Sequence, residues 1–160
     1  MRLIIAAIGK LKDAEERSIC DRYTKRLAVS GKQVGLGPLD VIELMESRSE
    51  NVDARKSDEA QRLLKASGHA GVIIALDEGG RHLSSDSFAK LLSKHADGSA
   101  KSCAFLIGGP DGHGREVLDV ANLKLSLGGM TLPHGLARVV LIEQLYRAST
   151  ILAGHPYHRT

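Results

Sequence analysis

Gly71-Val72-Ile73-Ile74-Ala75-Leu76 is an unbroken small and apolar run that gives way abruptly to Asp77-Glu78-Gly79-Gly80. A run this short, rich in Val and Ile and without polar alternation, is what a strand buried on both faces requires, and two-sided burial marks a parallel sheet covered by helices. The pattern recurs at residues 3–8 and 103–107, and in weaker form at 39–45 and 123–127. Helical patterns stand between these runs. Asp13, with Glu16 three residues on, forms a capping-box-like start, after which Ile19, Tyr23 and Leu27 share one face. Residues 53–67 read as a helix ending at Gly68, and Ser84 or Ser85 caps another that runs to about Lys94. A short helix follows Gly114, and a long one begins with Pro133 near its first turn and runs to about Ala153. Residues 34–38 form a Gly- and Pro-punctuated turn and 47–52 a polar loop. Strand and helix thus alternate about five times, which predicts an α/β fold with a mostly parallel sheet flanked by helices. Residues 1–160 contain no repeat, low-complexity tract or linker and are expected to form a single domain.

Composition narrows the classes. Of 160 residues, 42% are hydrophobic and 26% charged, which argues against disorder or a disulfide scaffold. Two Phe, three Tyr and no Trp leave an aliphatic core and too few rings for a platform that stacks single-stranded bases. Lys and Arg number 22 against 19 Asp and Glu, a net charge of +3 that permits an anionic partner without demanding one. Cys20 and Cys103 are far apart, form no CxxC, and read as small buried apolar groups in a reduced chain. The apolar run after Met1 stops at Gly9-Lys10, too short for a signal peptide or a membrane span, so a cytoplasmic location is expected.

In parallel sheets ligands bind at the carboxyl ends of strands. Those ends are residues 76–80, 107–112 and 127–131, all rich in glycine, where backbone can come close to a ligand. Gly108-Gly109-Pro110-Asp111-Gly112-His113-Gly114 does not fit the dinucleotide GxGxxG spacing. It nearly fits a P-loop, but Arg115-Glu116 stand where Lys and then Ser or Thr are needed. Ligand contact and a plain strand-to-helix turn are equally consistent with it. Tyr157, His158 and Arg159 concentrate donor chemistry near the C-terminus, against the ordinary expectation of a frayed tail. Two His there are too few for a metal, and none is expected. The run Val139–Ile142 puts apolar groups nearly all round the last helix, so that helix is either deeply buried or shared with a second copy. Glu143 and Arg147 are spaced as an intrahelical pair. Arg17, Arg22, Lys25 and Arg26, with Lys10 and Lys12 before them, make a basic stretch whose ordinary reading is a solvated face.

The C-terminal stretch goes further. Ser126-Leu127-Gly128-Gly129-Met130-Thr131-Leu132-Pro133-His134 leads into Leu136-Ala137-Arg138. Glu143-Gln144-Leu145-Tyr146-Arg147-Ala148 and His155-Pro156-Tyr157-His158-Arg159 follow. Together with Gly9-Lys10-Leu11-Lys12, Tyr23-Thr24-Lys25-Arg26-Leu27, Leu76-Asp77-Glu78-Gly79-Gly80 and Phe105-Leu106-Ile107-Gly108-Gly109, this resembles the pseudouridine N3-methyltransferases of bacterial large-subunit ribosomal RNA, a family of the SPOUT superfamily. Three positions depart from the family pattern. Gly128 replaces a usual Ser, Leu132 a common Phe, and Gly79 a more polar residue.

The resemblance implies a SPOUT-type α/β knot with a C-terminal trefoil, contrary to the general rule that chains avoid knots. It also implies a homodimer and S-adenosylmethionine as cofactor, bound by Leu76, by Gly108, and by Leu127, Gly128, Gly129, Met130, Thr131 and Leu132. The implied reaction is methylation of N3 of a pseudouridine in 23S ribosomal RNA on the assembled ribosome, with no metal and no membrane. Tyr157, His158 and Arg159 are the catalytic candidates. His158 has the intrinsic pKa to take the imide proton, Arg159 pairs a carbonyl or phosphate, and Tyr157 orients the base or stacks on it. Arg138 and Arg147 rank below them as structural or RNA-facing groups. The basic first helix would then meet RNA phosphates. Competing readings are a non-catalytic ribosome-binding factor on the same fold, a transfer-RNA methyltransferase, for which an additional RNA-binding domain is expected, and a nucleotide hydrolase, against which the failed P-loop counts.

Overall fold

The computed structural model describes residues 1–157. Strands β1 (Arg2–Ile8), β2 (Leu39–Leu44), β3 (Val72–His82), β4 (Ser102–Ile107) and β5 (Leu123–Ser126) form one sheet in the order β2-β1-β4-β3-β5, and all four pairings are parallel. Helices α1 (Ala14–Gln33), α2 (Val52–Ala66), α3 (Ser85–Asp97), α4 (Arg115–Val120) and α5 (His134–Leu152) cover both faces. The apolar runs therefore serve two cores. Leu3, Ile5 and Ala7 of β1, with Cys103, Phe105 and Ile107 of β4, pack toward α1, α3 and α5. Ile4, Ala6 and Ile8, with Ala104 and Leu106, pack toward α2 and α4. This is the two-sided burial that unbroken apolar strands predict.

Helix starts follow side-chain chemistry. Asp13, Asn51 and Ser84 accept hydrogen bonds from the backbone N–H groups of Glu16, Ala54 and Ser87, which satisfies donors the first turn leaves open. Pro133 is the N-cap of α5, as the reading of a helix from Pro133 to about Ala153 expects, and one boundary differs. Strand β3 does not stop at Leu76. It continues to His82 across a shift of register between Leu76 and Arg81, so residues 77–80 are an irregular strand rather than a loop. Gly80 makes this continuation sterically feasible, since a Cβ there would stand 2.6 Å from the Lys124 backbone. Among the described residues no helix is long and apolar enough to cross a membrane.

Because every strand is parallel, all carboxyl ends lie along one edge of the sheet. Strands β4, β3 and β5 are neighbours, so the segments that follow them meet there.

Candidate functional site

A cavity of about 650 Å³ opens at that meeting point. Leu76, Asp77 and Glu78 come from β3, and residues 107–113 from the end of β4 and its glycine loop. Leu125 to Gly128 and Met130 to Pro133 follow β5, and His134 and Ala137 open α5. Of the residues the sequence analysis assigned to a cofactor, Leu76, Gly108, Leu127, Gly128, Met130, Thr131 and Leu132 all line this cavity. Gly129 belongs to the same segment but is not in the lining.

The walls are held from outside. In the glycine loop the Gly112 N–H donates to the Gly109 carbonyl at 2.9 Å, and Gly112 takes φ +79°, a left-handed turn residue. A Cβ on Gly108 would lie 3.0 Å from the Gly112 backbone, so a side chain there would require the loop to give by a few tenths of an ångström. Helix α2 clasps this loop. Arg55 Nε donates to Asp111 Oδ2 at 2.6 Å and its Nη1 to the Ser49 carbonyl at 2.7 Å. The guanidinium bond holds the Asp111 carboxyl below its usual range. Glu59, buried beneath Gly109, accepts from the Ser47 N–H through Oε1. On the opposite wall, Ser126 folds the β5 segment back. Its hydroxyl donates to the Gly128 carbonyl at 2.9 Å and accepts from the Gly128 N–H at 3.3 Å.

His113 sits in the wall, 5% exposed, with Nε2 3.0 Å from the Leu76 carbonyl. A carbonyl only accepts, so Nε2 carries the proton and Nδ1 keeps a lone pair; Nδ1 has no hydrogen-bond partner among the described residues. Burial pushes the imidazole pKa down, outweighing the upward pulls of the Leu76 carbonyl and Asp77. Sequence reasoning gave His113 no role, because a lone His in a glycine loop carries no pattern. Three carboxylates, those of Asp77, Glu78 and Asp111, face the cavity, and no Lys or Arg among the described residues lines it.

Arg138 is another group whose role the sequence conceals. It is 2% exposed, pairs with Glu43 Oε1 and donates through Nη2 to the Gly9 carbonyl at 3.0 Å. The same Glu43 oxygen accepts from the Leu11 N–H at 2.8 Å. The first turns of α5, and with them one side of the cavity, are thereby tied to the ends of β1 and β2.

Tyr157 is placed elsewhere. Its hydroxyl donates to Glu143 at 3.0 Å, its ring packs 4.7 Å from that of Tyr146, and the Arg147 guanidinium lies 4.8 Å over it. Burial raises its phenol pKa. It does not line the cavity of its own chain. His158 and Arg159 lie outside the described residues. The Glu143–Arg147 pair forms as the spacing predicts, at 2.8 Å. Cys20 and Cys103 are buried free thiols, and burial pushes Cys103 up to about 12. Arg22, Lys25 and Arg26 are exposed on α1 and form no ion pair within the described residues. Both arginines lie over the Tyr23 ring, at 5.3 and 5.7 Å.

The model of the family described as "Predicted SPOUT methyltransferase" matches residues 1–158. The chain is 46% identical over 159 residues to the ribosomal RNA large subunit methyltransferase H of Xanthobacter autotrophicus, covering 99% of both. It is 42% identical over 160 residues to the protein of that name from Brucella anthropi, covering all of both. Among solved structures it is similar to the SpoU methyltransferase AviRb of Streptomyces viridochromogenes in complex with AdoMet, at 11% identity and a TM-score of 0.41. That alignment covers 92% of this chain and 59% of that one.

Proposed function

The chain belongs to the SPOUT methyltransferases, among the ribosomal RNA large subunit methyltransferases H, and on that premise we propose that it methylates N3 of a pseudouridine in 23S ribosomal RNA on the assembled ribosome, using S-adenosylmethionine. The observation that carries this reading is the convergence of the three strand ends on one cavity lined by seven of the eight residues assigned to the cofactor.

The residues present fit that cofactor. The volume lies within the range of small-molecule sites. Among the described residues the lining has no Lys or Arg of the kind a phosphate would need, and the cofactor has no phosphate. When bound, S-adenosylmethionine supplies an activated methyl on a positively charged sulfur. Leu76, Gly108 and the lining residues of the segment 127–132 would hold it through their backbone groups, and an orientation that puts its methyl in line with the attacking nitrogen would supply much of the rate.

N3 of pseudouridine carries a proton that must leave. His158 takes it on its imidazole nitrogen, Arg159 steadies the negative charge developing on the imide, and Tyr157 orients the ring. The exposed cations of α1 meet RNA phosphates. A homodimer accompanies this reading, with α5 at its interface. Leu136 is exposed there and Val139 and Val140 are half-buried, an apolar strip suited to a second copy. The single domain, the trefoil knot and the cytoplasmic location belong to the same proposal.

The test is transfer of a tritiated methyl group from S-adenosylmethionine to ribosomes and to free ribosomal RNA, both from cells lacking the enzyme. Label mapped to a pseudouridine of 23S RNA, and dependent on assembled ribosomes, is the expected result. Label in another RNA, or none, overturns the substrate assignment.

A further inference from the structure

We propose that Asp77 and Glu78 make the cofactor cavity selective for a cation, so that the positively charged methyl donor is held in preference to the neutral thioether left after transfer. This rests on the methyltransferase reading above and adds a basis for exchanging product for fresh donor. In that reaction the S–CH3 bond breaks with its electron pair going to sulfur, and the N3–CH3 bond forms as the N3 proton passes to the base. The ligand in the cavity thereby loses one positive charge and little else of its shape, and charge is the property that best distinguishes the two species.

Three observations carry the inference. The chain has a net charge of +3, yet its cavity is lined by Asp77, Glu78 and Asp111 and by no Lys or Arg among the described residues. Asp111 is committed to Arg55 at 2.6 Å, whereas neither Asp77 nor Glu78 has a Lys or Arg partner among the described residues. Asp77 Oδ1 accepts from the Gly79 N–H at 2.9 Å, which fixes the carboxylate at the irregular part of β3, on the cavity wall. The independent third observation is His113. It is buried in the same wall with its Nε2 proton given to the Leu76 carbonyl, and its Nδ1 has no hydrogen-bond partner among the described residues. Carboxylates on that wall favour the charge at the sulfonium or at sinefungin's extra amine, which the thioether lacks, whereas the α-ammonium shared by all three does not distinguish them.

Calorimetric titration of the full chain with three probes tests this: S-adenosylmethionine, sinefungin, which carries an amine in place of the sulfonium, and S-adenosylhomocysteine. Wild-type protein is expected to bind both cations more tightly than the thioether. Asp77→Asn keeps an acceptor for the Gly79 N–H and removes only the charge. It is expected to weaken both cations about fivefold while changing the thioether less than twofold. Glu78→Gln, at an exposed position, shifts the same ratio by less, and raising salt on wild-type protein narrows it without any substitution. Equal loss for all three probes, or an unchanged ratio in both variants and in salt, overturns the inference while leaving the cofactor assignment standing. Failure of all three to bind wild-type protein overturns the cofactor reading itself, and the inference with it.

Discussion

His113 links protonation to folding because it is buried neutral. Its pKa is lowered in the folded chain, chiefly by burial, so between that value and the unfolded 6.5 the unfolded chain binds more protons. Its contribution to stability is complete above pH 6.5 and is lost as pH falls below it. Thermal unfolding of wild type and His113→Gln across pH 5 to 8 checks this. Wild type is expected to lose stability faster on acidification, and parallel curves would show that His113 titrates as freely folded as unfolded. Gly80 is a steric case. A methyl group there meets the Lys124 backbone at 2.6 Å, and backbone cannot swing aside as a side chain end can. Gly80→Ala is expected to destabilise the fold by about 1–3 kcal/mol in urea denaturation. Neither residue was legible beforehand. Gly79-Gly80 reads locally as a loop, and only the neighbouring strand β5 turns it into a closely packed strand.

At the scale of elements, the apolar runs and the caps at Asp13 and Ser84 were legible, because burial and capping are local in sequence. The cavity's position followed from parallel strands alone. What holds it was not legible. Arg138 looks like any helical cation, yet it is buried and reaches Glu43 and the Gly9 carbonyl, 95 and 129 positions away in sequence. Such pairings exist only once α5 has packed against the first two strands. Arg138→Ala leaves Glu43 without its cation and the Gly9 carbonyl without its donor. A loss of about 3 kcal/mol is expected from urea denaturation, since removing one partner of a buried pair costs more than the pair contributes. Arg138→Lys is expected to recover part of it, because a single ammonium cannot serve both acceptors. Equal stability of wild type and Arg138→Ala would show that α5 is seated by its apolar contacts alone.

For the whole molecule, two surfaces must be brought to one substrate. Arg22 and Arg26 lie exposed on α1 with no ion-pair partner among the described residues, and reversing both to Glu is expected to weaken ribosome binding and to reduce the slope of log affinity against log salt by about 1–2. An unchanged slope would return that face to solvent. The cavity poses the second question. Tyr157 packs against Tyr146 and Glu143 and does not line the cavity of its own chain, so a tail that acts in catalysis has to work on the cavity of a second copy or leave its seat. The apolar strip on α5 favours the second copy, and mixing two inactive variants separates these routes. One variant carries Gly108→Val, where a Cβ already lies 3.0 Å from the Gly112 backbone, so that the glycine loop is expected to shift and cofactor binding to be lost, and the other carries His158→Ala. If the tail serves its partner's cavity, a mixed dimer holds one intact cavity facing one intact tail. Co-expression followed by separation of the mixed species is then expected to restore about half the wild-type methyl transfer per dimer. If each tail serves its own chain, every mixed dimer pairs a blocked cavity with an intact tail and an open cavity with a disabled one, and no activity returns.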